Sequence, residues 1–168
     1  HGAPLANAGI RRDPLIADRV VAWLKDRYLR RAEGDVAALR PFLLVAGFVN
    51  PHDIVLFPPW VRRNPLEPSP LDPPEVGPSP TDDEDLSTNQ IAYRAAYPTG
   101  YGPARLVERL YGANAQRYRD LYYRLHAEVD APLDRVRRAV TDGGSTDAVL
   151  VRTSDHGELL GAHGGLHQ

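Results

Sequence analysis

Residues 148–164 read AVLVRTSDHGELLGAHG, and this stretch carries most of the information about the fold. Its first four residues form an apolar run that is typical of a buried strand in a parallel sheet. Asp155 and His156 follow a few residues later. Open α/β sheets bind ligands beyond the carboxyl ends of their strands, so the spacing predicts that this pair lies in a crevice and forms a metal site.

A second segment repeats this order of features. The apolar run 42–49 ends at Pro51, and His52 follows it. Proline has no N–H and disfavours the helical conformation for Asn50, so it ends the predicted strand and restricts how His52 can project. We therefore predict that His52 lies at a strand end that faces the same crevice as the aspartate-histidine pair.

Two longer stretches have the three- and four-residue apolar spacing of helices with one buried face. The first is predicted over residues 13–39, with Asp13 as the N-cap and Pro14 as the first helical residue. The second is predicted over residues 103–140, with a kink or break at Pro132. A strand, a loop, a helix and a second strand form a crossover unit, which predicts an α/β fold.

A segment rich in proline separates the first predicted strand from the second helical stretch. It spans about residues 57–90 and contains the acidic run 82–85. Such a composition cannot form a helix or a central strand, so we predict an extended surface loop. The loop is either an inert linker or a lid over the entrance to a site, and long loops in compact domains favour the lid.

Three parts of the chain, taken together and in this order, resemble the sulfatase family of the alkaline-phosphatase superfamily. They are the strand-and-histidine segment 41–52, the tyrosine-rich helix running into Val129, and the string TSDHGELLGAHG at residues 153–164. The resemblance implies a three-layer α/β/α sandwich of alkaline-phosphatase type. It also implies that Asp155 and His156 bind a divalent cation and that His52 contacts the sulfate ester. An imidazole there can bind an ester oxygen or protonate the leaving alkoxide.

The sequence also departs from the family pattern. Sulfatases open with a strand leading into paired metal-binding aspartates and then a Cys/Ser-x-Pro-x-Arg nucleophile motif, and this chain has neither that motif nor any cysteine. We therefore expect residues 1–168 to be a single partial catalytic domain that lacks the N-terminal strand and the nucleophile segment. The formylglycine of the family is expected in that missing segment, and the chain alone is expected to be inactive.

The donor atoms of the aspartate-histidine pair suit several divalent cations. A carboxylate oxygen and an imidazole nitrogen are compatible with manganese, zinc or magnesium and, with more oxygens, calcium. Two adjacent ligands are too few for any of these ions, and the family resemblance implies that the others come from the missing N-terminal segment. Taken alone, Asp-His-Gly also fits a turn with a capping aspartate. Glu158 is expected to support or cap the loop and not to bind the metal.

Two further histidines, His163 and His167, flank a Gly-Gly pair near the end of the sequence. Together with His156 they are compatible with a small metal site made of histidines only. The family resemblance favours a position close to the substrate instead, so both are candidate substrate-binding residues.

Composition excludes several classes of partner. The 168 residues are 42% apolar, enough to bury the core of one domain. A formal net charge of −2 leaves no strongly basic face for nucleic acid. No apolar run approaches the roughly 20 residues that cross a bilayer, so we expect no membrane span. Localisation is left open.

The sequence thus predicts metal-dependent hydrolysis of a small sulfate monoester, with this chain carrying part of the active site. Two alternatives stay open. One is another reaction of the same superfamily, such as hydrolysis of a phosphate or phosphonate ester or transfer of phosphoethanolamine. The other is a noncatalytic metal-binding or interaction module, in which the proline-rich acidic loop would be the partner surface.

Overall fold

The computed structural model describes residues 8–57, 86–100, 104–143 and 147–162. Its helices are α1 Ala8–Ala32, α2 Val36–Leu39, α3 Thr88–Gly100 and α4 Ala104–Asp142, with a 3₁₀-helix at His52–Leu56. The chain divides into two compact units. The first comprises His1–Asp53 and Leu125–Arg152, and the second comprises Ile54–Arg124 and Thr153–Gln168.

The core of the first unit is built from the apolar faces of α1 and of the C-terminal part of α4. Ala17, Val20 and Leu24 are buried at steps of three and four along α1, and Leu125 and Val129 are buried at a step of four along α4. Because residues at these spacings share one side of a helix, each helix buries a single stripe. The two predicted helices are confirmed in this respect.

The start of α1 differs from the prediction. The helix begins at Ala8, and both Asp13 and Pro14 lie inside it. The Asp13 carboxylate is buried and accepts hydrogen bonds from the backbone of Val49 and Asn50, so Asp13 is not an N-cap. A local Asp-Pro pattern cannot show that the carboxylate accepts a hydrogen bond from a loop 36 residues away.

The first predicted helix is also divided near its end. Gly34 has a φ of 84°, a left-handed conformation that glycine adopts at helix ends without steric cost. Asp35 then caps α2 by accepting from the backbone N–H of Ala37 at 2.8 Å. In contrast, α4 runs without a break through the buried Pro132, so the predicted break there is wrong.

The second unit has a small core of its own around α4. Its buried apolar residues are Ile54, Phe57, Tyr118 and Leu121. The rings of Phe57 and Tyr118 meet edge to face, with centroids 4.9 Å apart and planes 78° apart. Aromatic pairs prefer this arrangement because the positive ring edge meets the negative ring face.

The predicted three-layer α/β/α sandwich is wrong, because the described residues are helical and include no strand. Residues 42–49 and 148–151 have no regular secondary structure. A strand is defined by hydrogen bonds to a neighbouring strand, and the backbone hydrogen bonds of the described residues provide no such ladder for either segment. Apolar composition alone therefore did not make these segments strands.

The side chains of these two segments are also less buried than predicted. Exposure alternates along the first, with Leu43 at 89% and Val45 at 81% but Leu44 at 37%. On the inner side, the Phe42 ring packs against Trp23 of α1, with ring centroids 4.9 Å apart. The guanidinium of Arg27 lies 4.7 Å from the centre of the Phe42 ring. The segment therefore packs on one side only.

Most of the predicted proline-rich loop, residues 58–85, lies outside the described residues, and its role as a lid stays a prediction. At its end α3 begins at Thr88, inside the predicted loop. Ser87 and Gln90 form a capping box, each side chain accepting from the other's backbone N–H. No helix in the described ranges combines the length and apolar content needed to cross a bilayer.

Candidate functional site

The predicted metal ligands Asp155 and His156 lie on an irregular segment of the second unit, where both side chains reach solvent. Asp155 is 89% exposed and His156 is 56% exposed. The backbone N–H of His156 donates to Asp155 Oδ1 at 3.0 Å. This hydrogen bond is the main reason that the pKa of Asp155 lies below its usual value, so the carboxylate is ionised at neutral pH.

The His156 ring is oriented by its own backbone. Its Nδ1 lies 2.8 Å from the carbonyl oxygen of Gly157. A carbonyl oxygen only accepts hydrogen bonds, so Nδ1 carries the proton and the lone pair of Nε2 is free to bind a metal. The Ser154 hydroxyl donates to the carbonyl oxygen of His156 and further fixes this turn.

The remaining donor atoms of the pair lie close together. His156 Nε2 lies 4.0 Å from Asp155 Oδ2. Two metal–ligand bonds of about 2.1 Å each span this separation only at an angle wider than the tetrahedral one, at which the two ligand atoms would be about 3.4 Å apart. No three His, Cys, Asp or Glu side chains converge as a metal cluster in the described part of the chain, so a cation site at this pair stays a prediction.

Glu158 anchors the same segment to α4. The Tyr118 hydroxyl donates to Glu158 Oε1 at 3.1 Å. Burial raises the pKa of Glu158 to about 7, while the hydrogen bonds from Tyr118 and from the backbone of Leu160 oppose that rise. A carboxylate that is largely removed from water favours its protonated form.

The segment turns sharply after Glu158. The N–H of Ala162 donates to the carbonyl of Leu159 at 2.9 Å. Leu160 and Gly161 between them have φ values of 54° and 90°, the two positive angles of a type I′ turn. An open cavity of about 550 Å³ is lined by His156, Gly157, Glu158 and Leu159. His156 and Glu158 thus line the same cavity.

The proton on Glu158 should make the stability of the metal-free chain depend on pH. Its pKa is about 7 in the folded chain, against an ordinary value of 4.5. The contribution of the protonated Glu158 carboxyl to the free energy of unfolding is therefore complete below about pH 4.5 and is lost as the pH rises toward 7. Glu158→Gln stays neutral and keeps an acceptor for Tyr118, so the free energy of unfolding of this variant should lack that part of the decline.

Urea denaturation in the presence of a chelator, repeated between pH 4.5 and pH 8, measures this dependence. Glu33→Gln, a matched change at an exposed position, should keep the slope of the unchanged chain. An equally steep decline in Glu158→Gln would show that Glu158 does not cause it.

His52 is the first residue of the 3₁₀-helix, and its side chain is exposed. Its backbone N–H donates to the carbonyl of Val49 at 2.9 Å, which closes the turn after the apolar segment. His52 belongs to the first unit and the aspartate-histidine pair to the second, so their common crevice stays a prediction. His163 and His167 lie outside the described residues.

Sequence reasoning missed the residues that support these segments. Asp13 and Asp53 hold the turn around His52, and Tyr118 holds Glu158. The sequence predicts Asp13 only as a helix cap. The partner of Tyr118 lies 40 residues away in the sequence, and no local pattern links the two.

Comparison with known proteins supports the family resemblance. The family model described as Sulfatase matches residues 10–168. The matched range contains His52, Asp155 and His156. No curated protein and no solved structure matches the chain.

Proposed function

The chain belongs to the sulfatase family, and from this we propose that it supplies part of the active site of an enzyme that hydrolyses sulfate monoesters with a divalent cation. The observation that carries the proposal is the donor pair formed by Asp155 and His156. His156 Nε2 and Asp155 Oδ2 are 4.0 Å apart. The substrate class is a small sulfate ester.

Each residue of the pair is prepared for binding by its own backbone contacts. Asp155 offers an anionic oxygen because its pKa is lowered. His156 offers Nε2 because Nδ1 is bound to the Gly157 carbonyl. A bound divalent cation would reduce the negative charge on the ester oxygens.

The remaining assignments belong to the same proposal. His52 contacts the ester and protonates the leaving oxygen, a role that its exposed imidazole permits. Residues 1–168 belong to one catalytic domain, in which the proline-rich segment between Phe57 and α3 is the lid. His163 and His167 lie close to the substrate.

Binding of Mn²⁺ tests the metal pair without requiring turnover. Added to the ¹⁵N-labelled chain, Mn²⁺ should broaden the backbone amide signals of His156 and Gly157 before those of α1. In Asp155→Ala the Mn²⁺ concentration needed for the same broadening should rise at least about tenfold, since changes even outside the ligand set weaken metal binding by that much.

Asp26→Ala is the matched control, because Asp26 has a side chain that is 63% exposed and lies on α1. It should leave the broadening of the His156 amide unchanged. Equal broadening in Asp155→Ala and the unchanged chain would refute the metal assignment.

A further inference from the structure

A buried carboxylate on α1 accepts hydrogen bonds from the backbone just before His52. Asp13 is only 1% exposed. Its Oδ1 accepts from the N–H of Val49 at 2.7 Å, and its Oδ2 accepts from the N–H of Asn50 at 3.1 Å. The two carboxylate oxygens therefore accept hydrogen bonds from consecutive backbone amides of the turn. Hydrogen bonds to an ionised acceptor are roughly twice as strong as neutral ones.

A second buried carboxylate, on the residue just after His52, accepts a hydrogen bond from the backbone of α1. Asp53 is 1% exposed, and its Oδ2 accepts from the N–H of Gly9 at 2.9 Å. Gly9 lies in the first turn of α1, where backbone N–H groups have no partner within the helix and favour an anion. The turn and the helix are thus joined from both sides of His52.

Close packing between Asn50 and Gly9 completes the contact. A Cβ atom on Gly9 would lie 2.3 Å from Cγ of Asn50, so any other residue there would displace the Asn50 side chain. The side-chain amide of Asn50 is buried and makes no hydrogen bond within the described residues. The hydrogen bonds that hold the turn are therefore those of the backbone and of the two aspartates.

We propose that Asp13 and Asp53 are positioning residues for His52, which they hold between them against the first turns of α1. The inference rests on the proposed role of His52, whose own ring is exposed and therefore depends on its backbone for its position. Catalytic groups act well only when they are held within about 0.5 Å of the productive geometry. We call the hydrogen bonds of Asp13 and Asp53 the clamp. Its loss should displace His52 without any chemical change to the His52 ring.

The variant Asp13→Asn tests the clamp with little change in shape. Its side-chain NH₂ would face one of the two backbone donors, so one hydrogen bond is lost and two donors oppose each other. Hydrogen exchange at Val49 and Asn50 should become at least about tenfold faster relative to the buried α4 amides. The Cε1–H signal of His52 should shift or broaden.

The control is Asp26→Asn on the exposed side of α1, which should change neither signal. Exchange and His52 signals that stay unchanged in Asp13→Asn would overturn the proposal.

A measurement on the unchanged chain covers the case in which Asp13→Asn fails to fold. The amide proton shifts of Val49 and Asn50 should move together at acidic pH as Asp13 binds its proton. Burial and the neighbouring charge of Asp53 raise the pKa of Asp13 above its ordinary value of 3.8. The midpoint of the change in both amide shifts should therefore lie above pH 3.8. Amide shifts that do not follow one common titration would also overturn the proposal.

A separate measurement tests the role on which the proposal rests. Inorganic sulfate added to the unchanged chain should shift the His52 ring signal, and should shift it less in Asp13→Asn. Sulfate without effect on His52 would count against its proposed role in the ester site. That result is distinguishable from failure of the clamp, because hydrogen exchange at Val49 and Asn50 is measured without ligand.

Discussion

A variant in which Leu43, Val45 and Val149 are changed to lysine should sediment as a monomer at concentrations at which the unchanged chain self-associates. These side chains are 89%, 81% and 89% exposed. They lie on segments that have no strand partner among the described residues, so apolar side chains are presented together with backbone groups that no strand pairs. Such segments pair with other chains, and lysine is a common device against that pairing.

Sedimentation velocity over a range of concentrations measures the effect. The matched control changes Leu15, Leu29 and Val36 to lysine, at positions that are 58%, 60% and 72% exposed on α1 and α2. Their backbone groups are paired within helices, so this control should still associate. A monomeric unchanged chain, or a control that dissociates as fully as the variant, would contradict the explanation.

Tyr118→Ala should lower the free energy of unfolding by about 4 kcal/mol, a large part of the 5–15 kcal/mol of an ordinary domain. Tyr118 is 2% exposed and has the largest fully buried side chain among the described residues. Its removal leaves a cavity beside Phe57 and removes the hydroxyl that donates to the Glu158 carboxyl. Tyr118→Phe keeps the ring and should cost only about 1–2 kcal/mol.

Urea denaturation followed by circular dichroism gives these differences. Leu29→Ala is the control, because Leu29 is 60% exposed on α1 and a surface change is expected to cost about 0.5 kcal/mol or less. If Tyr118→Ala and Leu29→Ala destabilise the chain equally, the contacts of Tyr118 do not support the second unit.

The two long helices and the family of the chain could be predicted from the sequence alone. Helical spacing is a local property, so Val20 with Leu24 and Leu125 with Val129 reveal a buried stripe without knowledge of its partner. The string around Asp155 is likewise local, and it falls within the range that matches the sulfatase family.

The tertiary structure alone decided which of the predicted elements formed and which residues support the site. Residues 42–49 have the apolar composition of a strand, but a strand also needs a hydrogen-bonded neighbour, which no residue within the segment can supply. Asp13 has the local signature of a helix cap, yet its carboxylate accepts amides 36 and 37 residues away. Glu158 has an ordinary place in its motif, and only burial beside Tyr118 raises its pKa to about 7. In each case the deciding partner is distant in sequence, whereas the helices depend on neighbours three and four residues apart.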